Sequence, residues 1–172
     1  MKVILFMAVS LNGIIADKHG KEDFLSHENW TSFIEVAKEF GNFIYGHNTY
    51  EAVNEWGQEY VDDLSEIATK IVISKTLDTA SNGFEIARSS SEAIKIIESK
   101  GHDIVLLTGG ARNNSYFGKL GLIDEVLFNI EPAIIGDGIP VFSPEDFTLK
   151  LELIEQKMIN EKLLQLHYRV IR

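Results

Sequence analysis

The chain has 172 residues, with 16 basic and 26 acidic side chains, a formal charge of −10 and no cysteine. Its length fits one domain, and its 45% share of hydrophobic residues is enough for a core and excludes a disordered acidic chain. The lack of cysteine excludes disulfide scaffolds, Cys-ligated zinc, iron–sulfur clusters and thiol catalysis. The negative charge argues against nucleic acid as a partner, because a phosphate backbone needs a basic face. A small anionic ligand needs only a local pocket of donors and stays possible.

Val3–Val9 is an apolar run that fits either a short signal peptide or a buried strand. It has seven residues and no clean small-residue cleavage site follows it, which favours the strand. No apolar run approaches the roughly 20 residues that a membrane-spanning helix needs. We therefore expect a cytoplasmic protein without a membrane partner.

The first part of the chain predicts a strand, a loop and a helix. Val3–Val9 is continuously apolar and rich in β-branched residues, which is typical of a central strand covered on both faces. Ser10–Gly20 is mixed in composition and predicts a loop. Apolar residues then recur with helical spacing, at Trp30, Phe33, Ile34, Ala37 and Phe40. They predict an amphipathic helix that ends at Gly41.

The middle of the chain alternates short apolar strands with helices. The predicted strands are Phe43–Tyr45, Ile71–Ser74, Ile104–Leu107 and Val126–Ile130. The predicted helices cover Thr49–Trp56, a segment that opens with the capping box Ser89–Glu92, and Asn114–Leu120.

The end of the chain predicts a β-hairpin. Leucines alternate from Leu149 to Leu153, apolar residues alternate again from Leu164 to Val170, and Asn160–Lys162 lies between the two stretches. Residues 1–172 therefore form a single α/β domain, in which a mostly parallel sheet carries an antiparallel edge.

Three of the predicted strands end in small or hydroxyl residues. These ends are Gly46–Thr49, Ser74–Thr76 and Thr108–Arg112, and two of them open a helix. Ligands of parallel sheets bind at the carboxyl ends of the strands, and bare N–H groups at a helix N-terminus attract anions. Each end also carries one cationic side chain, namely His47, Lys75 and Arg112. The pattern predicts an anion site at this edge of the sheet.

The same residues also have a structural interpretation. Gly46 and Thr49 could be a strand stop and an N-cap, Gly109–Gly110 a tight turn and Arg112 a surface residue. The chain lacks the dinucleotide motif G-x-G-x-x-G, the P-loop and the G-x-S-x-G elbow, and its histidines have no metal-ligand spacing. Gly136–Gly138 predicts a turn. We expect no metal site.

The motifs, taken in order, resemble the dihydrofolate reductase-like superfamily. Lys2–Gly13 resembles its first strand, Gly46–Glu51 its Gly-Arg-x-Thr turn, and Leu107–Ala111 its Gly-Gly turn. Gly121–Val126 and Pro132–Phe142 are most similar to one branch, the reductase domain of the bifunctional riboflavin-biosynthesis deaminase/reductase. The resemblance covers almost the whole chain. It implies a three-layer α/β/α fold, NADPH as hydride donor and a homodimer.

The resemblance also implies roles for single residues. Ala8 and Ile15 would contact the nicotinamide, and Ser74 and Lys75, with Arg88 as a weaker candidate, would lie near the adenosine ribose and its 2′-phosphate. The residues implied for the pyrophosphate are Gly46, His47, Thr49, Gly109, Gly110, Ala111 and Arg112. The residues expected near the substrate are Asn12, Asp17, Trp30 and Ile34.

The function that we expect is an NADPH-dependent reductase of the riboflavin-biosynthesis type, acting on a flat heterocycle with a C=N or C=O bond. The sequence identifies no proton donor, so water gated by the 10–20 loop is the expected source, with Gly136 and Asp137 bracing that loop. One alternative is a dihydrofolate reductase, which carries a carboxylate on its first helix near the position of Trp30 in this chain. The other is a non-catalytic dinucleotide-binding or scaffold dimer.

Overall fold

The computed structural model describes residues 1–172. The elements follow one another as β1 (Lys2–Ser10), β2 (Ile14–Asp17), α1 (His27–Phe40), β3 (Asn42–Gly46), α2 (His47–Trp56), α3 (Gln58–Ser65), β4 (Thr69–Ile73), β5 (Phe84–Ala87), α4 (Ser90–Ser99), β6 (Ile104–Leu107), α5 (Ala111–Lys119), β7 (Glu125–Glu131), β8 (Gly138–Pro140), β9 (Lys150–Ile159) and β10 (Leu163–Ile171). No helix has the length and apolar character needed to cross a bilayer.

Eight strands form one sheet in the order β5-β4-β3-β6-β1-β7-β10-β9. The strands from β5 to β7 pair in parallel, whereas β10 runs antiparallel to β7 and β9 runs antiparallel to β10. The predicted α/β class with an antiparallel C-terminal hairpin is therefore confirmed. Because β6 inserts between β3 and β1, the carboxyl ends of these three strands lie side by side.

The sheet separates two hydrophobic clusters, and β1 contributes to both. Leu5 and Met7 face a cluster that includes residues of α4 and α5, while Ile4 and Phe6 face a second cluster that includes residues of α1, α2 and α3. Successive side chains of a strand point to opposite faces of a sheet. Burial on both sides explains why β1 is continuously apolar instead of alternating.

Several boundaries confirm the local sequence signals. Helix α1 ends at Gly41, whose φ of 70° is the left-handed conformation of a helix C-cap. At α4 the Ser89 hydroxyl accepts a hydrogen bond from the Glu92 N–H at 3.1 Å, as in a capping box. The Glu92 carboxylate accepts from the N–H of Arg88 instead of that of Ser89. Helix α5 begins at Ala111, three residues before the predicted start at Asn114.

Four elements differ from the sequence expectations. The predicted loop 10–20 contains strand β2, and the predicted turn 136–138 leads into strand β8, which pairs with β2. Helix α3 and strand β5 were not predicted. Strand β2 depends on a partner more than 100 residues away along the chain, and α3 spans only eight residues, Gln58–Ser65, which gives its apolar spacing little length in which to repeat.

Candidate active site

The ends of β3 and β6 form a narrow cleft lined by backbone. The N–H of Gly46 donates a hydrogen bond to the Gly109 carbonyl at 2.8 Å, which holds the two strand ends together. Helix α2 starts directly after Gly46 and α5 directly after Gly110, and neither N-cap residue offers a side chain to the first turn. Two helix N-termini therefore present free N–H groups at one edge of the sheet.

The glycines at this edge leave room that any side chain would fill. A Cβ atom on Gly46 would lie 2.9 Å from Nδ2 of Asn113, and a Cβ atom on Gly110 would lie 3.2 Å from Oγ1 of Thr49. Gly109 has a φ of 92°, which strongly favours glycine, and its peptide bond to Gly110 is cis. We call this cleft, formed by Gly46, Thr49 and Gly109–Asn113, the glycine cradle. Its exposed N–H groups fit a pyrophosphate.

The third strand end, after β4, is tied to the cradle through His47. The His47 Nδ1 atom lies 2.9 Å from the Ser74 hydroxyl and 3.2 Å from that of Thr76, while its Nε2 atom lies 2.9 Å from a carboxylate oxygen of Glu51. The Ser74 hydroxyl also accepts from the N–H groups of Thr76 and Leu77. These bonds hold the 74–77 turn against the start of α2.

Cationic side chains follow strands β4, β5 and β6 at the edge of the sheet that carries the cradle. Lys75, Arg88 and Arg112 are exposed, and none of them forms an ion pair in the structure. Arg88 is held near the 74–77 turn, since its guanidinium donates to the Ser74 carbonyl at 2.8 Å. In a chain with a formal charge of −10, this grouping makes the cradle edge locally favourable for anions.

A cavity of about 550 Å³ adjoins the cradle. It is lined by Phe6, Met7, Ala8, Ile15, Glu22, Asp23, Leu25, Ser26, His27, Asn29, Trp30, Phe33, Tyr45, Thr49, Val53, Trp56, Tyr60 and Thr108. We call it the aromatic cavity. Thr49 belongs to both its wall and the cradle, so the two spaces meet at this side chain.

One wall of the aromatic cavity is a cluster of three rings from three helices. The Trp30 ring centroid lies 4.9 Å from that of Tyr60 and 5.9 Å from that of Trp56, both edge to face. The Trp30 indole N–H donates to the Asp63 carboxylate at 2.7 Å, which fixes the ring orientation. Fixed aromatic walls of this kind suit a flat ligand.

Glu22 is a carboxyl group in this apolar cavity. Its side chain is half-buried and has no hydrogen-bond or ion-pair partner in the protein. Burial raises the pKa of Glu22 to about 7, because the cavity solvates the charged form poorly. Burial also raises the pKa of the Tyr45 phenol, and the negative charge of Glu22 adds to that effect. At neutral pH the cavity therefore holds a carboxyl group able to gain or lose a proton.

The segment that carries Glu22 is fastened to the end of β7. The buried Glu131 carboxylate accepts hydrogen bonds from the N–H and the hydroxyl of Ser26 and from Nδ2 of Asn29. The Asn29 Oδ1 atom is buried without a partner. Glu131 thus anchors the C-terminal end of the 22–26 segment to the end of β7.

The structure separates the predicted site residues into groups. Ala8, Ile15, Trp30 and Thr49 line the aromatic cavity. The remaining residues implied for the cofactor lie at the three strand ends, namely Gly46, His47, Ser74, Lys75, Gly109, Gly110, Ala111 and Arg112.

The other residues expected near the substrate lie outside the cavity wall. Asn12 exchanges hydrogen bonds with the backbone of Ile135, at 2.8 and 3.1 Å, and braces the 10–13 turn against the 133–136 segment. The Asp17 carboxylate accepts from the N–H groups of His19 and Lys21, and this bonding, led by Lys21, lowers its pKa. Ile34 is buried in the core on α1. None of these three side chains lines the cavity, and their contact with a substrate stays a prediction.

Most residues that line the aromatic cavity were not among the expected site residues, and they include Glu22, Tyr45, Trp56 and Tyr60. Tyr60 lies on the unpredicted helix α3, where its spacing to Leu64 is the one available signal. Nothing in the local sequence marks Glu22, because its burial arises from segments that are distant along the chain. The structure contains no cluster of three or more histidine or acidic side chains arranged to hold a metal ion.

Comparison with known proteins assigns the chain to a family. The sequence model of the RibD C-terminal domain matches residues 1–164, so the chain belongs to the RibD C-terminal domain family. The protein YwjB of Bacillus subtilis is 30% identical to it, over 97% of each chain. This family membership confirms the resemblance to the riboflavin-biosynthesis branch and to reductase domains of the dihydrofolate reductase-like fold.

Solved structures share the fold. A Shewanella sp. PV-4 protein named for riboflavin biosynthesis superposes with a TM-score of 0.82 at 25% identity, and each chain is covered fully. The Thermotoga maritima diaminohydroxyphosphoribosylaminopyrimidine deaminase/5-amino-6-(5-phosphoribosylamino)uracil reductase superposes with a TM-score of 0.73 at 20% identity. Its match covers 99% of this chain but 56% of the Thermotoga protein.

Proposed function

We propose that the protein is an NADPH-dependent reductase of the pyrimidine-reductase type, which transfers a hydride to a C=N or C=O bond of a flat heterocycle. The observation that carries this proposal is the continuity of the glycine cradle with the aromatic cavity at Thr49. A dinucleotide bound across the cradle would place one end beside a pocket made for a flat ring. Family membership and the Thermotoga relative named as a reductase support the same function.

The residues present fit a dinucleotide. The cradle has two helix N-termini for a pyrophosphate, and a Cβ atom on Gly46 or Gly110 would fill it. Ala8 and Ile15, on β1 and β2, line the side of the cavity where a nicotinamide would lie. When bound, NADPH would supply the hydride, and the protein would position the substrate and exclude water.

The choice of NADPH over NADH rests on the cations at the β4 end. Lys75 and Arg88 carry no ion pair there, and Arg88 is fixed against the Ser74 carbonyl. A 2′-phosphate on the adenosine ribose would contact both positive charges. NADH has no 2′-phosphate and would not make these contacts.

Glu22 is the group that we propose as holder of the proton taken up by the substrate. Its carboxyl lines the cavity without a partner, and its raised pKa of about 7 keeps the acid form populated at neutral pH. The Asn12–Ile135 contact and the β2–β8 pairing would hold the neighbouring loop closed over the reacting groups.

The runner-up function is dihydrofolate reduction. The observation that favours it is again Glu22, since the cavity has a carboxyl group although α1 offers none from its own cavity-facing positions. Turnover of dihydrofolate with NADPH, and loss of that turnover in Glu22→Gln, would establish this second function in place of the first.

We propose that the active form is a homodimer. Strand β9 is the sheet edge, and its apolar side chains Leu151, Leu153, Ile154 and Met158 are exposed. An exposed apolar edge strand is normally covered, and a second copy would cover it by symmetry.

The central experiment is a fluorescence titration of NADPH into the protein. Binding at or below about 100 μM is expected, because cofactor sites usually saturate in the range of ordinary KM values. NADH should bind more weakly, since it lacks the phosphate that Lys75 and Arg88 would contact. No NADPH binding at that concentration would refute the proposed function.

A further inference from the structure

We propose that the aromatic cavity binds a flat nitrogen heterocycle that carries no phosphate group, and that Glu22 selects this class of substrate. The inference rests on the proposed reductase function and narrows its substrate. If it holds, the phosphorylated substrate in the name of the Thermotoga relative is not the substrate of this protein. Three features of the cavity carry it, namely the rings, the charges and the unpaired polar groups.

The rings define the shape of the ligand. Trp30, Trp56 and Tyr60 stand edge to face around one wall, while Phe6 and Phe33 belong to the apolar floor. A planar ring binds most favourably between walls of this kind, because both of its faces are buried against aromatic surface. A sugar phosphate would gain nothing from them.

The charges on the walls are negative. Glu22 and Asp23 line the cavity, and no lysine or arginine does, so His27 is the one basic side chain in its wall. Helices α2 and α3 carry five acidic residues and no lysine or arginine, and these are Glu51, Glu55, Glu59, Asp62 and Asp63. A phosphate dianion would be repelled here and would find no partner.

The basic residues near this rim do not change the balance. Lys38 pairs with Glu66, and Lys162 pairs with Glu28. Lys21 is exposed and adjoins Glu22 along the chain, outside the cavity wall. The free cations lie instead around the glycine cradle. Phosphates are therefore directed to the cofactor half of the site, and an uncharged or cationic ring to the other half.

Two unpaired polar groups define the edge of the ring. The Glu22 carboxyl and the Tyr45 hydroxyl form no hydrogen bond within the protein, and both residues line the cavity. A ligand that supplies a partner to such a group gains affinity and specificity. Ring N–H groups would donate to Glu22, and a ring carbonyl or nitrogen would accept from Tyr45.

The test compares ligands that differ only in a phosphate. The probes are two pairs of compounds, riboflavin with its 5′-phosphate and uridine with its 5′-phosphate. The two members of each pair have the same flat nitrogen heterocycle. They are titrated by tryptophan fluorescence in saturating NADP⁺, which fills the cradle. We expect the unphosphorylated member of each pair to bind at least about tenfold more tightly, since one like charge at 4 Å in water already costs about fivefold.

Variants separate charge selection from simple shape. At pH 8, above the raised pKa of about 7 so that Glu22 is ionised, Glu22→Gln should reduce the preference about fivefold by strengthening binding of the phosphorylated probes, and Asp23→Asn should act in the same direction. Glu98→Gln removes an equal charge from the exposed face of α4 and should leave the preference unchanged. Circular dichroism and thermal unfolding confirm that each variant is folded.

The outcomes are distinct from those of the proposed function. Equal or tighter binding of either phosphorylated probe, or no binding of any probe up to about 1 mM, would overturn the substrate class. Failure of NADP⁺ itself to bind would overturn the reductase proposal. Without NADP⁺ the empty cradle could attract the phosphate of a probe. The phosphate preference is then measured on the Arg112→Ala protein, whose cradle has one cation fewer.

Discussion

Replacement of Glu22 by glutamine is expected to make the stability of the protein less dependent on pH. In the native state burial raises the pKa of Glu22 from 4.5 to about 7, whereas the unfolded chain retains the ordinary value. The native protein therefore binds a proton that the unfolded chain has already lost between these two pH values. The contribution of Glu22 to the free energy of unfolding is therefore greatest below pH 4.5, falls as the pH rises from 4.5 to about 7, and is lowest above pH 7.

The magnitude follows from the two pKa values. At about 1.4 kcal/mol per pKa unit, the difference between 4.5 and about 7 corresponds to about 3.5 kcal/mol as an upper limit. Water in the open part of the cavity screens the carboxylate, so about 1–2 kcal/mol is the expected loss. The titratable groups that share the cavity with it are Asp23, His27, Tyr45 and Tyr60.

The assay is urea unfolding of wild type and Glu22→Gln at pH 5 and at pH 8. The free energy of unfolding of the variant, relative to wild type, should be about 1–2 kcal/mol higher at pH 8 than at pH 5. Other titrating groups contribute equally to both proteins and cancel in this comparison. Glu98→Gln, an exposed control, should show no such change. A relative stability of Glu22→Gln that is the same at both pH values would refute the assigned burial.

Three further predictions concern the cradle, the segment anchor and the sheet edge. Gly110→Val should weaken NADPH binding at least about tenfold with the fold retained, because its side chain enters the cradle beside Thr49. The control variant Gly136→Val, at a position with open space, should bind NADPH normally. Unfolding of Gly110→Val would instead support a purely structural turn. Glu131→Gln should lower the free energy of unfolding by about 1–3 kcal/mol, since it disturbs three hydrogen bonds to a buried carboxylate; chemical denaturation measures this, and an unchanged midpoint would contradict the anchor. Leu153→Lys on β9 should shift the protein from dimer to monomer in light scattering, and a wild-type monomer would contradict the homodimer.

Much of the fold follows from local signals in the sequence. The apolar run Val3–Val9, the helical spacing from Trp30 to Phe40 and the capping box at Ser89 each depend on neighbours within a few residues, and the structure confirms all three. Strand β2 does not follow in this way, because its hydrogen-bond partner Gly138–Pro140 lies far along the chain. Local spacing holds no information on such a pairing.

The candidate site shows the same division. The three glycine- and hydroxyl-rich strand ends could be read from the sequence, since parallel strands bring their carboxyl ends to one edge. The expectation that Asn12 lies near the substrate stays a prediction, and the structure adds that its amide bonds to the backbone of Ile135. The role of Asn12 depends on which segment folds over it, and composition does not encode that choice.

The sequence by itself determined an acidic, cysteine-free α/β domain whose strand ends carry the glycines and cations for an anion. Only the tertiary structure decided what lies beside that edge. Three rings from α1, α2 and α3 meet there, and Glu22 comes to lie among apolar side chains, where its charged form is poorly solvated. Burial depends on the contacts of a residue in space, and these are set by segments that its chain neighbours do not reveal.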